Sequence, residues 1–182
     1  MLKEKDNKEV ESLDITDDKD NVVGKRPRSE IELGKFRNVR VVVGFLVNSN
    51  GELWIPRRAS HKKIFPSCLD MSVGGYVLSG EDYDDAFKRE LKEELNIDSN
   101  TVRYTKLGKL SPYETHVSSF TTIYIVYANE TPMYNRNDFS EGSWMKPEDL
   151  IEKIRKGEPA KSDLQPVVEA FLLSPLPKPP SV

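Results

Sequence analysis

Glu90, Glu93 and Glu94 are three carboxylates at a spacing that lets them act together. On a helix the positions i, i+3 and i+4 share one side, so the three side chains converge along a single edge. Left alone they repel, at roughly 0.2 to 0.5 kcal/mol for each exposed pair, and more strongly where water is partly excluded. A hard divalent cation reverses that sign. Mg²⁺ or Mn²⁺ takes oxygen ligands and keeps waters, so one or two carboxylates and the phosphate oxygens of a substrate would complete its shell. A cation held this way can orient a water, help deprotonate it and offset charge on a departing phosphate. Just upstream, Gly74, Gly75 and Gly80 punctuate a stretch ending in Glu81 that reads as a loop able to bring backbone carbonyls close to the cation.

The elements that must position these groups follow from apolar spacing. Phe87, Leu91 and Leu95 recur every four residues within 82–95, which predicts an amphipathic helix whose packing fixes the acidic edge beside it. Residues 38–47 form a β-branched run too continuous for a strand with one wet face, followed by the turn Asn48-Ser49-Asn50-Gly51 and a returning strand over 52–56. Further strands are expected over 101–110, over 119–128 around Phe120, Ile123, Ile125 and Tyr127, and briefly over 143–145. Pro147, with Glu148 and Asp149 behind it, opens a helix. Val167, Val168, Phe171 and Leu172 predict another over 163–173. Near the start, two short apolar runs flank the turn residues 17–21 and predict a hairpin. The order of elements predicts an α+β fold, an α/β/α sandwich with a mixed central β-sheet flanked by helices. The expected organisation is a mobile N-terminus over 1–10, a hairpin and short helix over 11–35, the main domain over 36–174 and an extended Pro-rich tail over 175–182.

Gly75, five residues, Glu81, seven residues, then Arg89-Glu90-Leu91, Glu93-Glu94 and Ile97 resembles the Nudix box, with Asn96 where the box ends on glycine. Asn shares with glycine a tolerance for the left-handed conformation at a helix C-terminus. The resemblance implies a metal-dependent hydrolase that cleaves the diphosphate linkage of a small molecule, using Mg²⁺ or Mn²⁺. It implies that Glu90, Glu93 and Glu94 are the metal and base cluster, with the Gly74 carbonyl as a further ligand. Arg89 would orient a carboxylate by bidentate pairing, and Glu81 would brace the loop or join the metal site. More widely, Leu53-Trp54-Ile55-Pro56-Arg57-Arg58, Lys62-Lys63, Pro66, Leu69-Asp70 and Ser72-Val73-Gly74-Gly75 are similar to the Nudix branch that contains isopentenyl diphosphate isomerase and its hydrolase-like relatives. So is the opening Leu13-Asp14-Ile15 hairpin. In that branch the positions matching Arg58 and Lys62 hold a diphosphate. Glu141 stands where many members keep a late acidic residue near the metals, with Glu114 as a competitor. His61 and His116 are not needed by an oxygen-ligated site.

Two other functions compete. An isomerase needs proton transfer at carbon, and its family uses a cysteine and a nearby histidine where this chain has Gly74 and Tyr76; Cys68 lies six residues too early. A non-catalytic nucleotide-binding module has little use for an intact Glu90/Glu93/Glu94 set. With 27 Lys and Arg against 30 Asp and Glu, and a net charge of −3, general nucleic-acid binding is not expected. One cysteine in 182 residues and no apolar stretch of membrane-spanning length point to the cytoplasm. Nucleoside triphosphates, dinucleotides, nucleotide sugars and prenyl diphosphates all remain open as substrates, as does homodimer formation.

Overall fold

A computed structural model describes residues 11–32 and 38–178. The N-terminal segment 1–10, part of the expected hairpin-and-helix unit at 33–37 and the last residues of the Pro-rich tail lie outside these. β1 (Ser12–Thr16) and β2 (Val22–Pro27) form an antiparallel hairpin that leads into one helical turn, α1 (Arg28–Glu30). The remaining strands are β3 (Arg40–Val47), β4 (Leu53–Arg58), β5 (Val73–Tyr76), β6 (Arg103–Leu110), β7 (Phe120–Tyr127) and β8 (Phe139–Met145). They form one mixed sheet in the order β6-β7-β3-β4-β8, with β3 and β7 parallel, the other pairs antiparallel, and β5 pairing β3. The helices are α2 (Tyr83–Leu95), α3 (Pro147–Arg155) and α4 (Leu164–Phe171).

Strand alternation assigns the layers. Val42, Leu46, Trp54 and Tyr124 face α2, packing on Phe87, Leu91 and Leu95. Val43, Phe45, Val47, Leu53 and Ile55 face the opposite way, onto Leu150, Ile151, Leu164, Val167 and Val168 of α3 and α4. This is the α/β/α sandwich with a mixed sheet. Two local expectations need correction. Gly74 and Gly75 are not in a loop but in β5, because Val73 to Tyr76 pairs with Gly44 to Val41. The strand expected over 143–145 is longer, since β8 pairs with β4 along nearly its whole length. In both cases sheet pairing overrides weak local strand preference.

The hairpin is tied to the body by charge. Asp20, at its turn, is only 7% exposed and accepts from Arg40 Nε (2.7 Å), Lys109 Nζ (2.7 Å) and the Tyr83 hydroxyl (2.8 Å). Burial alone would raise its carboxyl, but the hydrogen bonds from Lys109, Arg40 and Tyr83 outweigh that and hold it below the usual carboxylate value. A carboxyl that is lower folded than unfolded adds stability above its unfolded pKa, and that stability is lost as pH falls through the folded value. Below about pH 4 the hairpin should therefore loosen. At neutral pH, Asp20→Asn should cost about 2 to 3 kcal/mol, less than for a fully buried pair because Lys109 is half exposed. Faster amide exchange across β1 and β2 is the expected reading, and unchanged protection would show the anchor lies elsewhere.

Candidate active site

Helix α2 carries the glutamates, and both its ends are closed by local chemistry. Asp82 caps the start, its side chain accepting the Asp85 N–H at 2.8 Å. Asn96 ends the helix in the left-handed region at φ 55°, while Asn96 N–H and Ile97 N–H return to the carbonyls of Lys92 and Leu91. Between them Phe87, Leu91 and Leu95 are fully buried. Burying each is worth roughly 1.5 to 3 kcal/mol, several times the repulsion of a surface carboxylate pair, so the apolar stripe decides where the glutamates go.

They go against β5. Gly74 and Tyr76 turn their backbone polar groups away from β3: the Gly74 N–H donates to Glu94 Oε2 at 2.8 Å, and the Tyr76 carbonyl accepts Arg89 Nη2 at 2.9 Å. The antiparallel pleat places the Gly74 carbonyl on the same edge as its N–H. Gly75 lies under Glu90 so closely that a Cβ there would stand 1.9 Å from Glu90 Oε1. Glycine at 75 is thus the space that the Glu90 carboxylate occupies.

Arg89 organises this group. Its Nε and Nη2 hold both oxygens of Glu81 at 2.8 and 2.9 Å, and its Nη1 reaches Glu90 Oε1 at 2.6 Å and stands 3.6 Å from Glu93 Oε2. Glu81 Oε2 also accepts the Leu78 N–H at 3.0 Å, so Glu81 braces the turn leading into α2. Burial pushes the Glu81 carboxyl up, but Arg89 and the Leu78 N–H bring it below the usual range.

Glu90 and Glu94 both shift the other way from Glu81. Burial raises the Glu90 carboxyl, Glu93 adds to that, and the opposing pull of Arg89 does not cancel it. Glu94 is pushed well up by enclosure and then by the Glu90 carboxylate, with only the Gly74 N–H pulling down among the main influences. Glu93 stays outside, with its side chain 59% exposed. Among the described residues no three acidic, His or Cys side chains converge into a ready-made metal cage. The donors still fit a cation of the Mg²⁺ type, which needs only one or two carboxylates beside waters and phosphate.

The nominated diphosphate residues sit close by, each held by a carboxylate of the chain. Arg58 Nη1 donates to Asp70 Oδ2 at 2.6 Å, and Lys62 pairs with Asp138. Asp70 and Asp138 both add to the negative field at Glu94. Asp138, which the motif does not include, thus brings a further acidic charge within reach of Glu94 while pairing with Lys62. Glu141 pairs instead with Arg57 at 2.9 Å, and Arg57 also holds Glu158, on the sheet face covered by α3 and α4. The structure does not bring Glu141 to the α2 glutamates. Glu114 lies exposed in the turn after β6. From the N-terminal side, Arg28 stacks on the Tyr76 ring at 5.2 Å.

The NUDIX domain matches residues 37–167, which span β3, β5, α2 and the whole glutamate cluster. The chain belongs to the Nudix hydrolase family. It is 53% identical over 163 residues to an uncharacterised Nudix hydrolase of Nostoc sp., covering 90% of this chain and 96% of that one. The crystal structure of DR0079 from Deinococcus radiodurans superposes with a TM-score of 0.86 at 45% identity, covering 88% of this chain and 99% of that one. A more distant relative is isopentenyl-diphosphate Delta-isomerase 1 of Photorhabdus laumondii, 25% identical over 156 residues, or 82% of this chain and 87% of that one. Among the described residues of this Nudix hydrolase no helix is long and apolar enough to cross a membrane.

Proposed function

We propose that this Nudix hydrolase cleaves the diphosphate linkage of a small molecule in the cytoplasm with the help of Mg²⁺ or Mn²⁺. The observation that carries the reading is the pair of enclosed carboxylates, Glu90 and Glu94, pressed against the Gly74–Gly75 edge of β5. Two like charges in such a place are costly unless a cation joins them. Glu90, Glu93, Glu94 and the Gly74 carbonyl are the groups that would hold it. When bound, the cation supplies positive charge to the diphosphate and acidifies a water.

The protein's own contributions are positional. Arg89 keeps Glu90 and Glu81 in place through charge-assisted hydrogen bonds. A carboxylate of the cluster takes the proton of the attacking water. Arg58 and Lys62 bind phosphate oxygens once the substrate competes with Asp70 and Asp138 for them.

The test is a product-resolved screen of diphosphate compounds with Mg²⁺, Mn²⁺ or excess chelator. Release of a monophosphate or phosphate is expected with either metal and none with chelator; full turnover in chelator would refute the metal assignment. Run in heavy water with isopentenyl diphosphate, the same protein should place no deuterium on carbon, because Gly74 and Tyr76 have no cysteine or histidine chemistry to offer. Deuterium incorporation without hydrolysis of any compound would replace this reading with the isomerase.

A further inference from the structure

The two glycines of β5 meet one charged side chain on each face of the sheet. Glu90 lies over Gly75 from the α2 side, and Lys161 approaches Gly74 from the opposite layer, where a Cβ would stand 3.7 Å from its Nζ. The backbone of Lys161 is fixed in the segment between α3 and α4. Its N–H donates to the Leu69 carbonyl at 2.9 Å, the Leu69 N–H donates to Pro159 at 2.8 Å, and Leu69 bridges Ala160 in parallel. That short ladder sets Lys161 beside Asp70.

Asp70 is 4% exposed and shared by two cations. Its Oδ2 accepts Arg58 at 2.6 Å and its Oδ1 accepts the Met71 N–H at 2.8 Å, whereas Lys161 Nζ stands 3.5 Å from Oδ1. A closed bond between an ammonium and a carboxylate is about 2.7 to 2.9 Å long. Arg58 has therefore closed on Asp70, Lys62 has closed on Asp138, and Lys161 has closed on neither. Among the described residues the Lys161 ammonium makes no hydrogen bond of ordinary length, and its side chain is a quarter exposed. One carboxylate facing two cations leaves a unit of positive charge beside the Gly74 edge, opposite the glutamates.

We propose that Lys161 binds a phosphate oxygen of the substrate at this edge, with Asp70 and the Leu69 ladder as its positioning groups. The inference rests on the diphosphate-cleaving reading and adds to it a residue from outside the Nudix box. A compact ammonium with rotatable donors suits a phosphate whose oxygens must also serve a cation. It offsets the repulsion a multiply charged diphosphate meets on nearing Glu90 and Glu94.

The experiment measures binding of methylenediphosphonate, a non-cleavable diphosphate, to the full chain by calorimetry with Mg²⁺ present. Lys161→Met should weaken binding by about tenfold, the usual scale for one lost charge-assisted hydrogen bond. Lys161→Arg should recover most of the loss, and Mn²⁺ affinity and Tm should stay at the parent values. Unchanged affinity in a folded Lys161→Met variant would overturn the proposal. Should that variant fail to fold, acylation of the unaltered protein decides: the diphosphonate should protect Lys161, and equal labelling with and without it would overturn the proposal. Lys161-dependent binding in a protein that hydrolyses nothing would leave this inference standing and remove the hydrolase reading; hydrolysis with Lys161-independent binding would do the reverse.

Discussion

Glu94→Gln is expected to remove nearly all turnover while leaving the metal-free protein at least as stable as the parent. The two effects have the same origin. Enclosure and the Glu90 carboxylate push the Glu94 carboxyl up, so its charged form is disfavoured in the folded protein without a cation. An amide of the same shape removes that repulsion, and its oxygen can still accept the Gly74 N–H that Glu94 now accepts at 2.8 Å. What it cannot do is hold a divalent ion by charge. Losing that contribution costs several kcal/mol at the transition state, or about a hundred- to a thousandfold in kcat. Glu93→Gln should lower the rate comparably with little change in Tm, because Glu93 is 59% exposed. The clearest readout pairs kcat with thermal unfolding at increasing Mg²⁺. The parent should gain Tm by mass action and Glu94→Gln should not. A Glu94→Gln protein that unfolds would make the carboxylate structural, and one with the parent's rate would move the site elsewhere.

Much of α2 was legible because each of its features is local. The Phe87, Leu91 and Leu95 stripe and the left-handed Asn96 all lie within about ten residues of chain, where periodicity and helix-ending chemistry act directly. The bidentate pairing expected of Arg89 is also seen, with Glu81 as its partner. What sequence could not show depends on topology. A Gly-Gly pair has no strand preference of its own, so β5 exists only because β3 offers it an edge. Asp70, Asp138, Lys161 and Arg28 come from four separate segments and reach the site only when the sheet and hairpin assemble. Glu141 illustrates the hazard of reading position without pleat. In β8, Gly142 packs on Trp54 toward α2, so its neighbour Glu141 points to the other face and finds Arg57.

Gly75→Ala should come close to silencing the protein, although it adds one methyl group. The new Cβ would lie 1.9 Å from Glu90 Oε1 and 2.1 Å from its carboxyl carbon, so one of them must move. The backbone of Gly75 is held by pairing with Val42, whereas Glu90 offers the end of a flexible side chain. Glu90 therefore yields, and with it the 2.6 Å contact to Arg89 Nη1. Relieving the collision this way keeps the fold, at the about 1 to 3 kcal/mol usual for overpacking. The rate suffers more, since a displacement near 1 Å at a reacting group can cost about a hundredfold. Gly74→Ala is the matched comparison: its Cβ would meet nothing nearer than 3.7 Å, so its stability should stay near that of the parent. Shortening the opposing side chain isolates the cause. If the clash with Glu90 is responsible, Gly75→Ala combined with Glu90→Asp should be more stable than the two single losses added together, a coupling read from a double-mutant cycle of unfolding free energies. Additive losses would place the damage in β5 itself, and full turnover by Gly75→Ala would show that Glu90 does not need the position in which Gly75 holds it.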